Sequence, residues 1–200
     1  NDNAFRDCSG FDGILHLPSN LTVIGANAFF MCSKLMGDLK IPSNVTSIGF
    51  QSFISCSGFD GIITIPNKVQ TIGYSAFSGC FNIKGDLHIP EDIEIIEDQT
   101  FSNLGCEGTL TLPPKLKSIG SRSFQCTKFK CSLNLPSTLK SINSSSFMSS
   151  TFEGELILPE KLEFIGRSAF ANCFGFKGLL NIPSGLKVVE SEAFSNCCSF

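Results

Sequence analysis

The residues in this chain with the most chemical potential are its ten cysteines. Cys8, Cys32, Cys56, Cys80 and Cys173 fall at the same place in a repeating pattern, and Cys197 extends the series. If those positions stack, neighbouring Cα atoms lie about 5 Å apart, close enough to bridge, but parallel Cβ vectors oppose the dihedral that a disulfide needs. A buried free cysteine behaves as a small hydrophobe, so the series is expected to be a column of reduced interior thiols. Zinc would call for close pairs such as Cys-x-x-Cys, which the chain lacks. Cys126 with Cys131, and Cys197 with Cys198, are the off-column pairings.

His16 and His88 share one register three units apart, roughly 14 Å at strand spacing, too far to share a metal or a proton. No G-x-S-x-G, phosphate loop or G-x-G-x-x-G occurs among the many serines and glycines. The expectation is a chain with no catalytic residues, no metal and no cofactor. A net charge of −3 and a pI near 5.4 provide no attraction for nucleic acid or an anionic membrane. No apolar run approaches the roughly 18 residues of a spanning helix, so no membrane insertion is expected within these residues. Charge is patterned locally. Glu91, Asp92, Glu94, Glu97 and Asp98 fall in one unit, and Lys115, Lys117 and Arg122 in the next. Asp92 then faces Lys115 and Glu94 faces Lys117, as an ion-pair ladder between units. The sharper alternative is a basic strip of Lys115, Lys117, Lys128, Lys130 and Lys140 offered to an acidic partner.

All these positions are set by a repeat, seen most plainly in Pro66–Ile89. Prolines recur at Pro18, Pro42, Pro66, Pro90, Pro113, Pro136, Pro159 and Pro183, 24 or 23 residues apart. A phenylalanine follows each by eleven: Phe29, Phe53, Phe77, Phe101, Phe124, Phe147, Phe170 and Phe194. A fixed period of this length signals a solenoid in which each unit packs mainly on its neighbours. Before each proline the pattern is apolar-polar-apolar, as in LKI, ITI and LHI, the period of a strand with one buried face. Three and six residues after proline come two aliphatic columns, Leu21 to Leu186 and Ile24 to Val189. Next, SAF, SRSF and EAF read as one helical or 3₁₀ turn carrying Phe inward. A second interior ladder runs Phe11, Leu35, Phe59, Ile83, Cys106, Phe129, Phe152, Phe176, Phe200. The units containing Phe101, Phe124 and Phe147 are one residue shorter before the next proline. Gly13, Gly37, Gly61, Gly85, Gly108, Gly154 and Gly178 precede the strand by the same step, which points to a tight corner or positive φ. At ~1.5–3 kcal/mol per buried large side chain, stacking of these columns is the main stabilising term. The fold class is thus a β-rich solenoid of short stacked strands, with residues 1–200 forming one domain of about eight units. The chain opens and closes within a unit and shows no cap, as a segment of a longer repeat protein would.

The outward strand position reads His16, Lys40, Thr64, His88, Thr111, Asn134, Ile157, Asn181. This varied polar column is the candidate binding face, although it serves solubility equally well. Phe50 and Tyr74 share one register and form a candidate surface aromatic pair, with packing on the convex side as the alternative. Sequons at Asn20, Asn44 and Asn143 are candidate glycosylation sites.

The motif Leu-x-Ile-Pro-x-x-Val-x-x-Ile-Gly-x-x-Ala-Phe-x-x-Cys-x-x-Leu is clearest in Ile41–Phe59 and Ile65–Ile83. It resembles the BspA-like, or treponemal-type, leucine-rich repeats, over the whole chain. Units at Phe101, Phe124 and Phe147 depart from it, with Leu104, Thr127 and Ser150 in place of the cysteine. The resemblance implies a leucine-rich-repeat solenoid. Many proteins of this kind lie on the surface of mucosal bacteria and protist parasites and bind host cells, matrix proteins or other microbes. The expected function is therefore a non-enzymatic scaffold, a cell-surface or secreted adhesin segment with a protein or glycan partner. The alternative is a cytoplasmic structural or filament-forming scaffold, with self-association through the uncapped ends of the solenoid.

Overall fold

A computed structural model describes residues 1–200. Proline supplies no ladder donor, so each extended stretch stops at it and the chain folds back, producing a parallel solenoid of about eight turns. Every named strand is two residues long and every pairing is parallel. On the face after the proline, Val23–Ile24, Ser47–Ile48 and Thr71–Ile72 form one ribbon. Ile95–Ile96, Ser118–Ile119, Ser141–Ile142, Phe164–Ile165 and Val188–Val189 form a second. Their register sets Ile24 on Ile48 on Ile72, and Ile96 on Ile119 on Ile142 on Ile165, the expected aliphatic column.

The face before the proline is less continuous than its sequence pattern predicts. Leu39–Lys40 pairs with Ile63–Thr64, and Leu87–His88 with Leu110–Thr111. Beyond Thr111, residues 133–135, 156–158 and 180–182 take part in no backbone hydrogen bond.

The stretch around each Phe contains no helix, contrary to the sequence expectation. The cause is two left-handed residues per turn, two before and two after the Phe: Asn27 (φ 52°) and Met31 (φ 57°) around Phe29, Gln51 and Ser55 around Phe53. These flip alternate peptides. The amides of Asn27, Phe29 and Met31 donate to the carbonyls of Phe50, Ser52 and Ile54 in the next rung. Those of Ala28, Phe30 and Cys32 close tight turns on Gly25, Asn27 and Phe29. A helix would send every amide along its own axis; here half of them tie rung to rung.

Inside, a phenylalanine spine runs from Phe5 through Phe29, Phe53, Phe77, Phe101, Phe124, Phe147 and Phe170 to Phe194. Successive ring centroids lie 5.1–5.7 Å apart and near-parallel. The second ladder meets it edge-on, with Phe59 at 6.5 Å from Phe53 and Phe176 at 6.1 Å from Phe170, the favoured T-shaped arrangement. Phe11, Val189 and Phe200, expected in the interior, are exposed instead, because an end rung is covered on one side only.

The glycine corner arises in two ways. Gly85 has φ +78°, a conformation that side chains disfavour. Gly61 has ordinary φ, but a Cβ there would lie 2.8 Å from the backbone nitrogen of Asp38 in the rung below.

Candidate ligand-contact surface

Strand alternation places His16, Lys40, Thr64, His88, Thr111, Asn134, Ile157 and Asn181 outward, and all are exposed. Their flanking residues point inward, except the exposed Ile182 beside Asn181; Leu87 and Ile89, on either side of His88, are buried. Lys40 Nζ sits 2.9 Å from the Asp38 carboxylate. Asn134 and Ile157 line an open groove of about 710 Å³ between residues 132–137 and 155–161. This groove falls between two of the shortened units, where the strand ladder has lapsed.

Phe50 and Tyr74 stack with centroids 5.3 Å apart at 15°, and Phe50 remains exposed. Asn20 is exposed. The side chain of Asn44 is engaged: Nδ2 donates to the Ser19 carbonyl at 3.0 Å and Oδ1 accepts from Lys68 Nζ at 3.0 Å. Asn143 is half-buried.

The thiol column is interior and reduced. Cys32, Cys56, Cys80, Cys173 and Cys197 each donate S–H to the carbonyl of a spine phenylalanine in the preceding rung, at 2.9–3.2 Å. Burial pushes Cys80 and Cys106 up to about 12 and Cys173 up to about 11, and raises Cys32, Cys56 and Cys197 in the same direction. Cys126 and Cys198 are exposed, and all ten are free.

The ion-pair ladder forms as the register requires. Lys115 Nζ lies 2.6 Å from Asp92, and Lys117 Nζ 2.6 Å from Glu94. Lys130 pairs with Glu107, and Lys187 with Glu163. The basic strip therefore has three of its members, Lys115, Lys117 and Lys130, already paired with carboxylates. No cluster of three or more His, Cys, Asp or Glu residues is arranged to hold a metal ion.

One polar site escaped the sequence reading. The positions eight and nine residues after proline form a ridge, along which Gln99, Ser121, Arg122, Ser144, Arg167 and Glu192 help line a groove of about 440 Å³ with no hydrophobic side chain in it. The signal was available: aligning the units puts Arg122, Ser144 and Arg167 in adjacent columns of successive rungs.

Parallel rungs with aliphatic and aromatic columns inside, and a varied strand column outside, define a repeat scaffold of the leucine-rich-repeat class. The chain belongs to the BspA type leucine-rich repeat family, whose pattern matches residues 1–104 and 85–200 in six copies. Three solved structures resemble it. A leucine-rich repeat protein from Bacteroides ovatus shares 26% identity at a TM-score of 0.67, over 88% of this chain and 51% of that one. A leucine rich cell surface protein from Faecalibacterium prausnitzii shares 25% at 0.70, over 78% and 42%. A leucine-rich repeat protein from T. pallidum shares 27% at 0.68, over 80% and 76%. The chain thus spans about half the length of the first two. No curated protein matches it.

Proposed function

We propose that this chain is the contact segment of a cell-surface adhesin, a non-enzymatic scaffold that presents its outward residues to a protein or glycan on a host or neighbouring cell. The observation that carries this reading is the division of labour within each rung. Interior positions repeat the same residue types and are buried, while the outward strand position changes at almost every rung and stays exposed. A scaffold that is uniform inside and varied outside holds different side chains at fixed spacing, which is what a recognition surface requires. The likeness to a protein described as a cell surface protein supports the location. Antibody against this chain should label intact cells of the source organism without permeabilisation. Labelling that appears only after permeabilisation would overturn the reading and favour the cytoplasmic scaffold.

A second reading, self-association through end rungs, rests on the interior-column apolar residues those rungs expose: Phe5 and Phe11 at one end, Val189 and Phe200 at the other. Sedimentation of the purified chain over a range of concentrations tests it, with a constant monomeric mass as the outcome against it.

A further inference from the structure

The ridge, and not the strand face, contains the site with the clearest ligand chemistry. Eight residues after each proline, the backbone amide points away from the turn's own hydrogen-bond pattern. Three amides of this column are capped by carboxylates. Ala26 N donates to Asp2 at 2.8 Å, Ser121 N to Asp98 at 2.6 Å, and Arg167 N to Glu190 at 2.7 Å. Phe50, Tyr74, Asp98, Ser144 and Ser191 have no acceptor for this amide within the chain. Of these, only Ser144 lies between two arginines, with Arg122 in the rung before and Arg167 in the rung after, inside the polar groove.

The charges facing it are accounted for. Asp98 is engaged by the Ser121 amide and Glu190 by the Arg167 amide. Glu192 takes Arg167 at 3.3 Å and the Ser168 hydroxyl at 3.1 Å. Arg122 forms no ion pair and keeps its full fork of donors. Hydroxyls of Ser121, Ser144, Ser145 and Ser168 complete the lining.

We propose that the amide of Ser144 and the guanidinium of Arg122, with Arg167 beside them, bind a carboxylate brought by an outside ligand, in the manner that Asp98 and Glu190 cap the neighbouring rungs. The ligand class is an acidic glycan, a chain of sugars bearing carboxylates. A protein partner would bury an apolar centre, and this groove has none; its hydroxyls, carboxylate and amide side chain match a polyhydroxylated chain. The inference rests on the adhesin reading and names a ligand class for it.

The test is binding of the purified chain to an oligogalacturonate of defined length, against the same oligosaccharide with its carboxyls reduced to alcohols, and against polyglutamate. Arg122→Gln should weaken oligogalacturonate binding about ten-fold or more, the loss of a charge-assisted hydrogen bond. Carboxyl reduction should weaken it similarly, and Lys34→Gln, on the exposed surface away from the groove, should leave it unchanged. Thermal unfolding of both variants confirms that the fold is intact. Absence of oligogalacturonate binding, equal loss in Lys34→Gln, or equal Arg122-dependent binding of polyglutamate would each overturn the proposal. If intact cells still label with antibody while the oligosaccharide fails to bind, this inference falls and the adhesin reading stands.

Discussion

The two long sides of the solenoid are built from the same repeat and hold together differently. On the turn side, the phenylalanine stack runs unbroken from Phe5 to Phe194, and alternate amides cross to the next rung at each step. On the outward strand side, pairing of the strand column comes in couples and stops after Thr111, with only the Gly154–Phe176 bridge beside it further on. Yet Leu133 and Leu156, where pairing has stopped, are as buried as Leu39 and Leu87, where it holds. Burial of the side-chain columns is thus independent of the strand ladder. The spine keeps the rungs aligned, and the strand face is left free to open into a groove.

The comparison is broken or sharpened most strongly at the spine. Phe77→Ala and Phe124→Ala should each cost about 3–5 kcal/mol, the usual range for a fully buried phenylalanine. Urea unfolding measures both; a much smaller loss at Phe124, where the strand face opens, would show that the spine is not uniform. At the corner, Gly85→Val places a β-branched residue at φ +78°, a strain of ~1–3 kcal/mol. Asp86→Val removes a carboxylate that accepts from the Thr109 amide at 2.6 Å and its hydroxyl at 2.8 Å, on an exposed surface. It should lower the melting temperature less than Gly85→Val, and equal melting temperatures would refute the corner.

Hydrogen exchange separates the two sides without any substitution. The amides of Phe29, Phe53 and Phe77 donate across rungs and should exchange slowly. Those of Leu133 and Leu156 are buried beside the groove with no acceptor in the chain and should exchange faster. Comparable protection would mean that the strand face is closed in solution. The smallest effect is electrostatic. The Ile62 amide and Lys40 hold Asp38 below the ordinary carboxylate range, and the Thr109 amide and hydroxyl do the same for Asp86. A depressed folded pKa gives stability that is present above the usual value near 4 and lost as pH falls through the folded value. Asp38→Asn and Asp86→Asn should flatten the acid limb of a melting-temperature profile by lowering the melting temperature near neutrality and leaving it unchanged at low pH, where the carboxyls are already protonated.

The interior was almost wholly legible from the sequence, because a column with one residue type per rung is visible at a fixed period. Phe77 and Phe101, the same distance after their prolines, lie 5.7 Å apart and fully buried. The backbone of the turn was not legible. SAF looks helical, and the left-handed residues that prevent a helix include Gln51, Arg122 and Glu192 beside the Asn and Ser that favour this conformation. The amides that cross to the next rung decide the matter, and they are a property of two units, not of one. The ridge site was missed for a related reason. Its members are ordinary polar residues in each unit and become a site only when Arg122, Ser144 and Arg167 are laid one above another.

The amides that leave each turn also give the molecule a direction. Asn27, Phe29 and Met31 all donate forward, toward the C-terminal neighbour, and the same holds at Gln51, Phe53 and Ser55. The terminal surfaces are accordingly unlike: at this column the first rung offers vacant oxygens and the last offers vacant hydrogens. Two first rungs, or two last ones, would meet like against like. Any further rung, from the same polypeptide or from a second copy, matches this column in one orientation only, so growth along the axis is polar.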